Sequence, residues 1–244
     1  MNTTASASSG PIGETSARRD PTSVRRNPAN ARPNPTNARR DPVNTRARLL
    51  EAAIDEFSNQ GYSGARTERI ARHAGTNIRM LYHYFGGKDA LYVAVLEAVI
   101  ADLRHDELQL DTDVVEPLAG LLQIADFVDR HFATHPRLRK LLAFENLNEA
   151  RHLARSNRIP EMSSPLIALI GRLLARGTAA GAIRPGIEAL HLYVAMVSLS
   201  YYGRAHAYTL SRIFDEDLLA PSWQQAHQQL TRQMVAAFLT KASD

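Results

Sequence analysis

From Thr45 onward polar and apolar positions alternate with a helical period. Leu50, Ala53, Ile54 and Phe57 recur at spacings of one to three residues, and the run halts at Gly61. That is one apolar helix face, which either Asn44 or Thr45 is suited to cap. Two short helical stretches follow, about Thr67 to Ala74 and Ile78 to Tyr84. Gly75-Thr76-Asn77 separates them, with Asn77 placed to cap the second. A helix, a tight glycine-containing turn and a short second helix make the helix-turn-helix plan, whose second helix enters the DNA major groove.

Beyond Lys88 no stretch shows the two-residue period of a strand. The pattern predicts helices near 88–109, 117–134, 137–155, 164–180, 187–208 and 222–240, bounded by Pro117, Pro136, Pro165, Gly181, Pro185-Gly186 and Pro221. Ser164 before Pro165 has the form of a helix cap followed by a first-turn proline. The expected fold class is all-α: a three-helix helix-turn-helix DNA-binding domain over 44–90, then a larger helical ligand-binding and dimerisation domain over 91–244. Residues 1–43 lack periodicity and are rich in Pro, Asn, Arg, Ser and Thr, so they are expected to form a disordered basic arm. Within it Arg18-Arg19-Asp20-Pro21, Arg25-Arg26-Asn27-Pro28 and Arg39-Arg40-Asp41-Pro42 repeat one phrase. Two readings stand for the arm, a solvated low-complexity tail or a segment that tracks DNA phosphates or drops an Arg into the minor groove.

Charge sharpens this picture. The net charge is +4, and residues 1–44 hold seven arginines against Glu14, Asp20 and Asp41. The next segment, to residue 90, is also basic, so positive charge gathers in the third of the chain expected to face a polyanion. There are no cysteines, which excludes thiolate catalysis and fits a reducing compartment. The longest uncharged run of the C-terminal half, Ala189 to Gly203, is too short to span a bilayer. No secretory or twin-arginine signal is seen, and a cytoplasmic location is expected. Gly86-Gly87-Lys88 lacks the spacing of a phosphate loop and no nucleophile elbow is present, so the chain reads as no enzyme. No cofactor is implied.

The residues Gly61-Tyr62, Ile70-Ala71, Ala74-Gly75, Leu81-Tyr82-His83-Tyr84-Phe85 and Lys88-Asp89-Ala90-Leu91 resemble the DNA-binding domain of TetR-family transcriptional regulators over about 50 residues. The resemblance implies phosphate contacts from Thr67, Tyr82 and Lys88, and base-edge contacts from Arg79, Met80, His83 and Tyr84. Arg79 is the best candidate for direct readout, because a guanidinium pairs bidentately with guanine O6 and N7; the alternative is a phosphate contact. His83 either touches a base or stays a solvated aromatic. Arg66 and Ile78 depart from the family pattern: Arg66 is expected to add a phosphate contact, and Ile78 to meet a thymine methyl or pack internally. Leu81 and Phe85 are expected to hold the recognition helix on Phe57 and Ile70.

For the C-terminal domain the aromatic, sulfur-bearing and amide residues Phe127, Phe144, Asn148, His152, Met162, Tyr193, Met196 and Tyr201 are candidates to line a pocket for a partly apolar small-molecule effector, or else core. Stripes at Leu190, Val194, Val197 and Tyr201, and at Trp223, His227, Leu230, Met234 and Phe238, need apolar partners. The resemblance implies that these two helices form a homodimer interface; burial within the chain is the alternative. His131 and His135 stand one helical turn apart, without a carboxylate motif, and no metal site is expected. The expected function is a sequence-specific regulator, a repressor that binds a pseudo-palindromic operator of double-stranded DNA as a homodimer and is released by a small molecule. The alternative is a largely nonspecific architectural DNA-binding protein without an inducer.

Overall fold

The computed structural model describes residues 42–110 and 116–240, and among them all regular structure is helical. Ten α-helices follow in order: α1 (Pro42–Gly64), α2 (Thr67–His73), α3 (Ile78–Phe85), α4 (Lys88–Leu108), α5 (Pro117–Thr134), α6 (Pro136–Leu147), α7 (Arg158–Ala179), α8 (Ala189–Ala205), α9 (Ala207–Phe214) and α10 (Pro221–Leu239). The all-α expectation holds. The basic arm lies outside the described residues except for its last two, Pro42 and Val43, which open α1, so that helix begins ahead of both caps expected from sequence.

Two apolar cores organise the chain. The head core gathers Leu49, Ala53 and Phe57 of α1, Ile70 of α2, Leu81 and Phe85 of α3, and Leu91, Tyr92, Val95 and Leu96 of α4. The expected seating of Leu81 and Phe85 with Phe57 and Ile70 is observed. The body core gathers Leu121, Ile124, Val128 and Phe132 of α5, Leu166, Ile170 and Leu173 of α7, and Leu192 and Met196 of α8. α4 serves both, since its later residues Ile100 and Leu103 enter the body core. α6 gives Leu141 to the head and Leu138 to the body. The helix expected over 88–109 is observed as α4, and it runs unbroken from the head core into the body core.

Three further helix boundaries differ from the sequence expectation, each for a local reason. The helix expected over 137–155 ends at Leu147, because the buried carboxylate of Glu145 turns the chain. Its Oε2 accepts the backbone N–H of His152 (3.2 Å) and Leu153 (3.1 Å), and its Oε1 pairs with His152 Nδ1 (2.9 Å). Glu149 and Ala150 adopt positive φ, 56° and 55°, to make that turn, a conformation L-residues adopt at a cost. A 3-10 turn at Leu153–Arg155 completes the connector. The next helix starts at Arg158, so Pro165 lies inside it and Ser164 is no cap; its hydroxyl donates to Pro160 O at 3.0 Å. Such back-bonding within a helix satisfies the serine that resembles a cap. Finally, the helix expected over 187–208 breaks at His206, whose ring stacks on Tyr202 at 4.4 Å.

Candidate nucleic-acid interface

The recognition element is built from the inside outward. α1 packs against α2, and Glu56, buried on α1, fixes their angle: one carboxylate oxygen accepts the Arg66 backbone N–H (2.9 Å) and the Arg69 guanidinium (2.6 and 2.8 Å). Burial works to raise its pKa, but the Arg69 and Arg66 hydrogen bonds and the Arg69 charge outweigh it and hold the carboxyl below its ordinary value. Gly75, at φ 64°, makes the turn that leads out of α2. Asn77 then caps α3 as the sequence predicts, its Oδ1 accepting from Met80 N–H at 3.0 Å.

With Leu81 and Phe85 buried, the opposite face of α3 presents Arg79, Tyr82 and His83 to solvent, while Ile78, Met80 and Tyr84 are half-buried along its edges. His83 and Tyr84 touch edge to face at 5.1 Å. Arg66, Arg72 and Arg79 have no ion-pair partner among the described residues, so their charge is available to an anion. Thr67 is buried at the start of α2. Lys88, the first residue of α4, holds its ammonium 4.7 Å from the centre of the Tyr62 ring.

Tyr62 belongs to a network that ties the head to the connector after α6. Its hydroxyl donates to Asp89, and that bond together with burial raises its pKa. Asp89 also takes Arg155 at 2.7 Å, and the Tyr62 ring lies 4.4 Å from that of His152. Lys88 is thus placed by a scaffold that reaches into the C-terminal half. Sequence reasoning missed this network, and it missed Glu56, although a carboxylate three residues after Ala53 falls on the apolar stripe of α1 and is a detectable signal. It also left Arg46 without a role; the guanidinium lies 4.9 Å over the Phe85 ring, at the end of α3.

The eight pocket candidates fall into two places. Phe144, Asn148 and His152 lie where α6 and its connector meet the head: the Phe144 ring packs on Gly61, whose Cα would carry a Cβ 3.0 Å from it, and Asn148 Nδ2 donates to Phe144 O at 2.6 Å. The other five lie in or against the body core. There the Tyr193 hydroxyl donates to the buried Glu107 (3.1 Å) under the Arg104 guanidinium, and the Tyr201 hydroxyl donates to Arg139 O (3.3 Å). Among the described residues no group of three or more potential ligand side chains is arranged for a metal, and no helix is long and apolar enough to cross a membrane.

α8 and α10 run antiparallel. Trp223 and His227 stack on each other and on Gly203 near the end of α8, and Leu239 at the end of α10 accepts the Arg184 N–H (2.9 Å) ahead of α8. Trp223, His227 and Val197 are half-buried in this packing, whereas Leu190, Val194, Leu230, Met234 and Phe238 stay 46–53% exposed along one apolar face.

Comparison with known proteins agrees with this architecture. Residues 49–95 match the family described as bacterial regulatory proteins, tetR family, and residues 117–235 match the tetracyclin repressor-like C-terminal domain. The chain is 33% identical over 173 residues to the HTH-type transcriptional repressor NicS of Pseudomonas putida, covering 71% of this chain and 82% of that one. It is 31% identical over 158 residues to the HTH-type transcriptional regulator RutR of Escherichia coli, covering 63% and 71%. A TetR family transcription regulator from Marinobacter aquaeolei superposes with a TM-score of 0.63 at 19% identity over 82% of this chain and 97% of that one, which speaks for the fold. A helix-turn-helix head with an exposed basic recognition face, fused through α4 to a helical body of the matching kind, places this chain in the TetR family of DNA-binding transcriptional regulators, a family of regulators and not of enzymes.

Proposed function

We propose that the chain is a homodimeric repressor that reads a pseudo-palindromic operator with α3 and is released from it by a small molecule acting on the C-terminal half. The observation that carries the reading is the capped recognition helix, whose outer face offers Arg79, Tyr82 and His83 while its inner face is locked by Leu81 and Phe85. Arg79 is assigned to a base edge, and Tyr82, Lys88, Thr67, Arg66 and Arg46 to the flanking phosphates. Met80, Tyr84 and the Asn77 cap border that surface. Repression is favoured because similar chains bear the name repressor.

The exposed apolar face of α8 and α10 supplies the dimer contact, and two copies set the spacing of two recognition helices on one duplex. Residues 44–90 act as the DNA-binding part and 91–244 as the dimer and effector part, in the cytoplasm. Release requires only a coupling free energy: a ligand preferring the conformer with misspaced heads weakens DNA binding, and DNA weakens ligand binding equally.

Titration of operator duplexes tests the reading. Arg79→Ala is expected to cost about 1–3 kcal/mol on the operator and to relax the preference at one base pair, whereas Lys88→Gln weakens every duplex alike and flattens the salt dependence. Equal weakening of all duplexes by Arg79→Ala would reassign that side chain to phosphate. An operator affinity no greater than that for random DNA at physiological salt would replace the repressor reading with the architectural one.

A further inference from the structure

Where α1 meets α4, the end of α5 and the start of α6, the chain forms a partly open cavity of about 300 Å³. Ile54, Val99 and Leu138 give it an apolar floor. One wall is the ring of His131, a residue only 4% exposed, held between Phe127 (5.5 Å) and His135 (3.8 Å). Neither His131 ring nitrogen has a hydrogen-bond partner among the described residues, although His135 is tied to Thr134 and to the His131 carbonyl. Burial, with His135 alongside, pushes the His131 pKa down to about 4, so the ring is neutral at physiological pH and keeps one donor and one acceptor unspent. Ring nitrogens left open to the cavity in that state can hydrogen-bond a polar occupant.

The rim is acidic. Glu51 and Asp102 border the cavity and Asp55 lies one turn from Glu51. The bordering guanidinium, Arg137, is already committed to Glu51 (2.6 Å) and Asp55 (2.8 Å). Asp102 has no ion-pair partner among the described residues. An anion entering here meets the uncompensated carboxylate of Asp102 beside the bridged Glu51 and Asp55, and a cation is drawn in.

We infer that this cavity binds a small organic cation with a single-ring apolar body: its ammonium is held at Asp102 and Glu51, its ring lies on Ile54, Val99 and Leu138, and a hydrogen-bonding edge engages His131. The site is separate from the DNA-binding face, and its regulatory consequence rests on the proposal that a small molecule releases the repressor. An ammonium drawn to Glu51 competes with Arg137, whose bridge joins α6 to α1, and so loosens the contact that holds the head on the body.

Tyramine is a suitable probe, with 3-(4-hydroxyphenyl)propionate as the same body carrying the opposite charge. Calorimetry on the full chain without DNA is expected to show at least tenfold preference for tyramine. The ring signals of His131 in ¹⁵N-histidine spectra are expected to move. Asp102→Asn, an exposed change, is expected to lower tyramine affinity at least fivefold with melting unaltered. Failure of tyramine to bind, equal or tighter binding of the propionate, still His131 signals, or full affinity in Asp102→Asn would each overturn the inference. Operator binding is then measured with tyramine present. Tyramine bound at this site with operator affinity unchanged upholds the cavity and removes the release reading instead.

Discussion

Single residues in this chain are set by what their polar atoms can find. Glu56 and Glu145 are buried carboxylates that serve as anchors for backbone N–H groups and a cationic or imidazole partner, and both define where a helix ends or how it is angled. His131 is the opposite case, buried with its ring nitrogens unpaired among the described residues. An unfolded histidine takes its proton near 6.5, whereas the folded one resists until about 4. Between those values the unfolded chain binds the extra proton, so stability falls as pH drops through this window, by up to about 3 kcal/mol. Urea melts across pH 4 to 7 are expected to show a shallower slope for His131→Leu than for the parent chain. Parallel slopes would mean that His131 titrates normally.

At the scale of elements, the connector after α6 is the joint most exposed to single changes. Removing the Glu145 carboxylate strands the His152 and Leu153 N–H groups and the His152 imidazole in a buried site, while Glu149 and Ala150 retain their strained backbone. Glu145→Ala is expected to cost about 3 kcal/mol and to speed amide exchange over residues 148–157. Unchanged melting and exchange would show that the turn is held by other contacts. This joint was illegible in the sequence because Asn148 to Arg155 keeps helix-forming residues throughout. The contacts of Glu145 with His152 and Leu153, and the distant pairings of Arg155 with Asp89 and Ser156 with Glu97, reveal why the chain leaves the helix there. By contrast the α2–α3 turn was legible, since Gly75 and Asn77 carry their conformations in their own chemistry.

At the scale of the molecule, the proposed dimer depends on an apolar face that the folded chain leaves uncovered. Leu230→Glu puts a charge in that face without touching the core and is expected to give monomers by sedimentation, with severe loss of operator affinity. A dimeric variant of full affinity would move the interface elsewhere. The basic arm is expected to act through charge. Deleting residues 1–41 is expected to lower DNA affinity and reduce the slope of log K against log salt by about 0.9 for each phosphate that the arm no longer neutralises, with melting unchanged. Identical slopes would leave the arginine repeats as a solvated tail.

The sequence by itself determined the helical class, the helix-turn-helix, its cap and turn, and the division of α3 into a buried and an exposed side. These follow from periodicity and from residues whose conformational preferences are local. It also marked the basic end of the chain, since charge is additive along a sequence. Tertiary structure alone decided which aromatic residues meet. Tyr193 and Tyr201 were equal pocket candidates by type, yet each spends its hydroxyl on a distant partner. The cavity beside His131 is likewise formed by α1, α4, α5 and α6, separated by up to 87 residues of chain between Glu51 and Leu138. Whether a polar side chain is satisfied depends on groups brought together from afar, and no spacing along the chain encodes that.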